Sequence, residues 1–97
     1  MKKQLNAKFH LGVIMSEPKI LEHLTQIEIL RALKRHVSGD WGDLCTSDKL
    51  SNDRTINDDG TVKTGERILS AFTAEDGTKF WVVTEAFYTA LILPEEF

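Results

Sequence analysis

From residue 8 to residue 15, Phe9, Leu11, Val13 and Met15 stand on one parity and alternate with mostly different neighbours, Lys8, His10 and Gly12, before Ile14. That is the period of a half-buried strand. Ser16 and Pro18 break the alternation; serine is a good helix N-cap and proline fits a first helical turn. The pattern predicts a short helix over 17–24 with Ile20, Leu21 and Leu24 on one face. Thr25 and Glu28 then stand at capping-box spacing and open a second helix reaching His36 or Val37. Ile27, Leu30, Leu33 and Val37 recur at three- and four-residue steps, the stripe of a helix with one buried face. Gly39 is placed to end it.

The period then changes. Residues 38–47 hold serine, two glycines and two aspartates around Trp41 and read as a tight loop. Thr46 or Ser47 can cap a third helix over 48–56, weakly anchored by Leu50 and Ile56. Asn57-Asp58-Asp59-Gly60 is turn chemistry inside a polar run expected to be mobile. Three strands follow, over 67–73, 79–84 and 89–93; Glu75-Asp76-Gly77 supplies the hairpin turn and Pro94 the stop. The chain therefore reads as a single α+β domain over 1–97. An N-terminal strand and two to three helices precede a three-stranded antiparallel meander, in the order β-α-α-α-β-β-β. Both faces of the late strands are apolar, so one is expected to meet the helices and the other to be covered in part by a second subunit, as in a homodimer.

Composition narrows the functional classes. With 41% hydrophobic and 28% charged residues the chain has ordinary globular usage. The net charge is −3 and the basic residues are spread out, with Arg31, Lys34 and Arg35 the one local group. Nucleic-acid binding needs clustered cations, so the balance argues against it, and it argues equally against a polybasic membrane contact. Cys45 is the single cysteine, which rules out an intrachain disulfide and fits the cytoplasm. No apolar run approaches the ~20 residues of a membrane span.

Candidate chemistry concentrates between Arg35 and Asp48. Asp40 and Asp43 sit three apart around Trp41, flanked by Gly39 and Gly42, with His36 just upstream. Such carboxylates can act as acid and base or hold a cation, and histidine titrates near neutrality. The same residues also make a purely architectural loop: aspartates capping backbone N–H groups, glycines serving turn geometry, tryptophan plugging the core. On the late strands Trp81 and Glu85 share a parity, and Arg67 faces Glu85 across the hairpin, so these three are candidate supports for a site. No cysteine–histidine spacing indicates zinc, there is no phosphate-binding or nucleophile-elbow motif, and no cofactor is expected.

Arg35-His36-x-x-Gly39-Asp40-Trp41-Gly42-Asp43, then Asp48-Lys49 and Asn52-Asp53, resemble a group of short, uncharacterised bacterial proteins often labelled plasmid-related. Gly65-x-Arg67-Ile68-Leu69-Ser70-Ala71-Phe72, Asp76-Gly77-Thr78-Lys79-Phe80-Trp81, Thr84-Glu85-Ala86 and the closing Leu91-Ile92-Leu93-Pro94-Glu95-Glu96-Phe97 extend the resemblance over residues 8–97. It implies an accessory protein of a plasmid or other mobile element and carries over no catalytic residue. Three readings follow. The first is a non-enzymatic module that binds a protein partner, in plasmid maintenance or counter-defence. The second is a small ligand-binding protein or metal-dependent enzyme using His36, Asp40 and Asp43. The third is a nucleic-acid binder using Arg31, Lys34 and Arg35.

Overall fold

The computed structural model describes residues 7–96. Its best-defined local element starts at Thr25, whose side chain accepts the Glu28 N–H while the Glu28 carboxylate accepts the Thr25 N–H. Two of the orphan donors of a helix start are satisfied reciprocally. The helix, α2, spans Gln26–Val37. At its far end Gly39 (φ +90°) donates to the His36 carbonyl and Asp40 to the Arg35 carbonyl. These are the paired bonds of a Schellman motif. Preceding α2 are a strand, β1 (Val13–Ser16), and a one-turn helix, α1 (Ile20–His23). Following it are α3 (Thr46–Thr55), β2 (Ile68–Thr73), β3 (Lys79–Glu85), β4 (Tyr88–Ile92) and a 3-10 turn at Pro94–Glu96.

β2, β3 and β4 pair antiparallel in sequence. The expected meander is wider by one strand, because β1 adds parallel to β4 and makes a mixed four-stranded sheet ordered β1-β4-β3-β2. Only the end of the predicted first strand enters it. Upstream, Lys8 N–H bonds the Val37 carbonyl and His10 N–H the Gly60 carbonyl, which holds Phe9 in the core beside α2. Gly12 (φ +67°) then turns the chain into the sheet, where a Cβ would lie 2.4 Å from the Phe87 carbonyl oxygen. Val13 and Met15 are consequently exposed rather than half-buried.

Two further expectations shift. In α1 Ile20 and the following Leu24 are buried but Leu21 is exposed, because the segment forms one turn rather than two. In α2 the buried face is Ala32, Leu33, His36 and Val37, with Ile29 half-buried. Ile27 and Leu30 keep 62% and 61% of their surface exposed. The helix packs on β2 and β3; Leu30 lies on its flank, lining a groove with Leu11 and Ile14, and Ile27, nine residues before the sheet-facing His36, points away from the sheet. α3 starts two residues earlier than predicted, with Cys45 as N-cap and no side-chain cap bond. The polar run after it is tied down by Ile56 bridging Val62 and by the Asn57–Thr61 turn, with Val62 buried.

The loop between α2 and α3 runs along the outer edge of β2. Ala71 N–H donates to the Trp41 carbonyl and Asp43 N–H to the Ala71 carbonyl. The Asn52 side chain repeats the pattern one step away: its Nδ2 donates to the Leu69 carbonyl and its Oδ1 accepts the Leu69 N–H. An edge that would otherwise present free backbone groups is thereby closed. Gly42 sits where this approach is tightest. Its φ is +73° and a Cβ would lie 2.0 Å from the Ala71 carbonyl oxygen. Gly42→Ala is expected to lose about 3 kcal/mol or more in urea unfolding, since it adds a backbone clash to the left-handed conformation. Gly77→Ala, also left-handed but in open space, is expected to cost about 1 kcal/mol.

Candidate functional site

The structure sends the candidate residues of the α2–α3 segment to different places. His36 is wholly buried on the sheet-facing side of α2. Its Nδ1 lies 2.6 Å from Ser70 Oγ and its Nε2 lies 2.9 Å from Thr84 Oγ1. Thr84 Oγ1 is 2.6 Å from Thr89 Oγ1, which is 2.7 Å from the Leu11 carbonyl oxygen. The chemistry of that last atom assigns every proton in the chain. A carbonyl only accepts, so Thr89 donates to Leu11; Thr84 must then donate to Thr89, and His36 Nε2–H to Thr84. Nδ1 is left as acceptor of the Ser70 hydroxyl. The imidazole is the neutral Nε2–H tautomer, and every hydroxyl in the series is satisfied.

Aromatic rings close the rest of the pocket around His36. Phe9 meets it edge-on at 5.2 Å between centroids and Trp41 does the same at 5.8 Å, while Phe9 and Trp41 stack at 6.0 Å. Burial pushes the His36 pKa down to about 3. A histidine so placed is not a base available to a substrate.

Trp41 is buried too, and its indole N–H reaches Asp53 Oδ1 at 3.3 Å. Asp40 is half-exposed and bound to Arg35 through both carboxylate oxygens, at 2.7 and 3.3 Å, and it accepts the Gly42 N–H at 3.2 Å. The Arg35 hydrogen bond, with help from Gly42, holds its carboxyl below the usual range. The Arg35 guanidinium in turn lies over the Phe72 ring at 4.4 Å. Asp43 bonds β2 through its backbone N–H, and its side chain lies on the exposed surface. The loop is occupied with architecture: Trp41 fills, Asp40 braces the helix end, and Gly42 with Asp43 seals the sheet edge.

The candidate supports do not join it. Ser70, Thr84 and the core residues Phe80 and Val82 face the helices, so Trp81 and Glu85, of opposite parity, lie on the other face of β3. Arg67 precedes β2 and its charge acts on Tyr88, which also bonds Glu85. His36 and the Arg67–Glu85–Tyr88 group are thus on opposite sides of the sheet. Among the described residues, no three histidine, cysteine, aspartate or glutamate side chains gather as a metal site requires. A groove beside Arg35, lined also by Glu28, Arg31 and Phe80, holds about 180 Å³, below the usual range of a small-molecule pocket.

Sequence reasoning missed Ser70, Thr84, Thr89 and Asn52. A signal for the first two was present: Ser70 stands between Ile68 and Phe72 at core-facing parity, and Thr84 continues the parity of Phe80 and Val82. A polar residue in such a register needs a buried partner, and His36 is that partner. Compared with known proteins, the chain matches no family model, no curated protein and no solved structure.

The His36 environment predicts a specific pH dependence. The folded protein binds no proton at His36 until about pH 3, whereas the unfolded chain binds one near pH 6.5. Protons therefore favour the unfolded state as pH falls through about 6.5, and stability is lost below that point and kept above it. Between about pH 6 and 5, wild type should lose up to about 1.4 kcal/mol per pH unit more than His36→Gln, measured by urea unfolding at each pH.

Proposed function

We propose that this chain is a non-enzymatic binding module that engages a protein partner, and, on the resemblance of its motifs, that it serves a plasmid or other mobile element. The observation that carries the binding reading is the division of labour in the fold. The residues best suited to chemistry are spent on holding the helix end and the sheet edge, while the face of the sheet turned away from α1 and α2 displays residues suited to contact.

That face carries Leu69, Ala71, Trp81 and Ala90, all half-buried, with Tyr88, Glu85 and Arg67 at one end. Phe87, in the turn between β3 and β4 at the same end, leaves 83% of its surface in water. Tryptophan, tyrosine and arginine are the side chains that most often dominate protein interfaces. A partner of matching chemistry presents an apolar surface with a polar rim. The catalytic alternative needs His36, Asp40 and Asp43 converging on a pocket, and their separate engagements speak against it.

The test is affinity capture with immobilised wild type, Phe87→Ala, Trp81→Ala and Asp43→Asn, each first shown to be folded by circular dichroism. The reading expects one set of proteins to be retained by wild type and Asp43→Asn and lost from Phe87→Ala and Trp81→Ala. Retention that depends on Asp43 and survives both aromatic substitutions would contradict it. Phe87→Ala is the safer variant, because its side chain contributes little to the core.

A further inference from the structure

One side of α2 takes no part in the core. His36 faces the sheet, and each step along a helix turns the side chain by about 100°. Ile27, Arg31 and Lys34 therefore lie about 140–180° from His36, along the crest of the helix, with Leu30 beside them on the flank. All four are exposed, Ile27 by 62% and Leu30 by 61%. They stand at i, i+3, i+4 and i+7, the spacing by which one helix presents a ridge to another.

The charge on this side has one sign. The single carboxylate of α2 belongs to Glu28, about 80° from His36 around the helix, and it accepts the N–H groups of Thr25 and Glu75. Arg35 is spent on Asp40. Arg31 and Lys34 are left. Arg31 Nη1 lies 3.9 Å from Glu75 Oε2 with both side chains mostly in water, an ion pair of little strength. Among the described residues Lys34 makes no ion pair. Cations in a last helical turn suit the dipole. The dipole accounts neither for Arg31, which lies before that turn, nor for two branched apolar side chains in water next to it.

We propose that this side of α2 docks an acidic amphipathic helix of a partner protein. Apolar side chains of the partner helix, three and four residues apart, pack on Ile27 and Leu30, and carboxylates flanking them pair with Arg31 and Lys34. Charge selects this occupant. A second copy does not fit, because two such crests meeting across a two-fold axis bring cations together with no carboxylate between them. Two cations fall short of the clusters of about four to eight that hold an anionic lipid surface. A phosphate backbone makes no use of Ile27 and Leu30. The four residues cover about 10 Å of helix, so the contact belongs to the small, transient class. It lies on the helix side of the sheet, opposite the face used in the binding reading above, and neither depends on the other.

The test follows the backbone amide shifts of the isotope-labelled full chain as a synthetic helical peptide is added. The peptide carries leucines three and four residues apart, flanked by glutamates. A twin has lysine for every glutamate, and a short DNA duplex is the third probe. Saturable shifts centred on residues 27–34 are expected with the glutamate peptide, and the lysine twin should bind about tenfold more weakly or worse. Ile27→Gln and Leu30→Gln, both at exposed positions, should each weaken binding about fivefold or more while the rest of the spectrum stays unchanged. Arg31→Glu combined with Lys34→Glu should invert the preference between the two peptides. Leu50→Gln, at an exposed leucine of α3, should bind as wild type does. The proposal is overturned by the absence of saturable shifts, by shifts centred on Trp81 and Phe87, by equal affinity for the two peptides, by indifference to the Ile27 and Leu30 substitutions, or by tighter binding of the duplex.

Discussion

The Leu11 carbonyl fixes the direction of a buried hydrogen-bond series that runs through Thr89, Thr84 and His36 to Ser70. The series joins the N-terminal segment, the β3–β4 hairpin, α2 and β2, which are far apart in sequence. Each member is buried, and each would carry a desolvation cost if its partner were removed. A chain of ordinary apolar contacts could also hold α2 against the sheet, but it would tolerate sliding. The directional series allows one rotation of α2 and one register of β3 on β4. Among the described residues no buried side-chain nitrogen or oxygen lacks a partner, and a fully satisfied network of this kind specifies a single arrangement.

Once α2 is set, the α2–α3 loop follows. The Schellman turn at Gly39 aims the chain back along β2, Asp40 clamps it to Arg35, and Trp41 enters the pocket beside His36 and Phe9. Gly42 admits the close approach that lets Trp41 and Asp43 pair with Ala71. One edge of the sheet is closed by this construction. The other is left with outward-pointing backbone groups and apolar neighbours, and the outer sheet face keeps its aromatic side chains within reach of solvent. Surfaces available for association are thus concentrated away from the loop that looks most chemical.

Much of this was legible in the sequence. The capping box at Thr25, the stop at Gly39, the three late strands and their turns depend on local chemistry, and local chemistry is what a sequence displays. The element order and the α+β class follow from them. Helical spacing places Leu33 and Val37 of α2 correctly in the buried face but not Ile27 and Leu30, which satisfy the spacing as well as Ala32 and His36 do; only the position of the sheet distinguishes the two faces. The first strand was overextended, since alternation cannot register that Lys8 and His10 bond to α2 and to the Gly60 turn. The parallel addition of β1 depends on contacts over 70 residues apart, such as Thr89 with Leu11. The candidate loop was found, but its role depended on Ser70, Thr84 and Asn52, whose meaning appears only when strands and helices are brought together.

The account stands most directly on the state of one imidazole. Long-range nitrogen–proton correlation of labelled protein at neutral pH reads the protonation of both His36 nitrogens. The structure predicts a neutral ring with the proton on Nε2 and a bare Nδ1, unchanged as the pH is lowered through the range where an ordinary histidine titrates. A charged ring, which would deprive the Ser70 hydroxyl of its acceptor, or a proton on Nδ1 with Nε2 bare, which would break the series at Thr84, would contradict the claim that this network sets the fold.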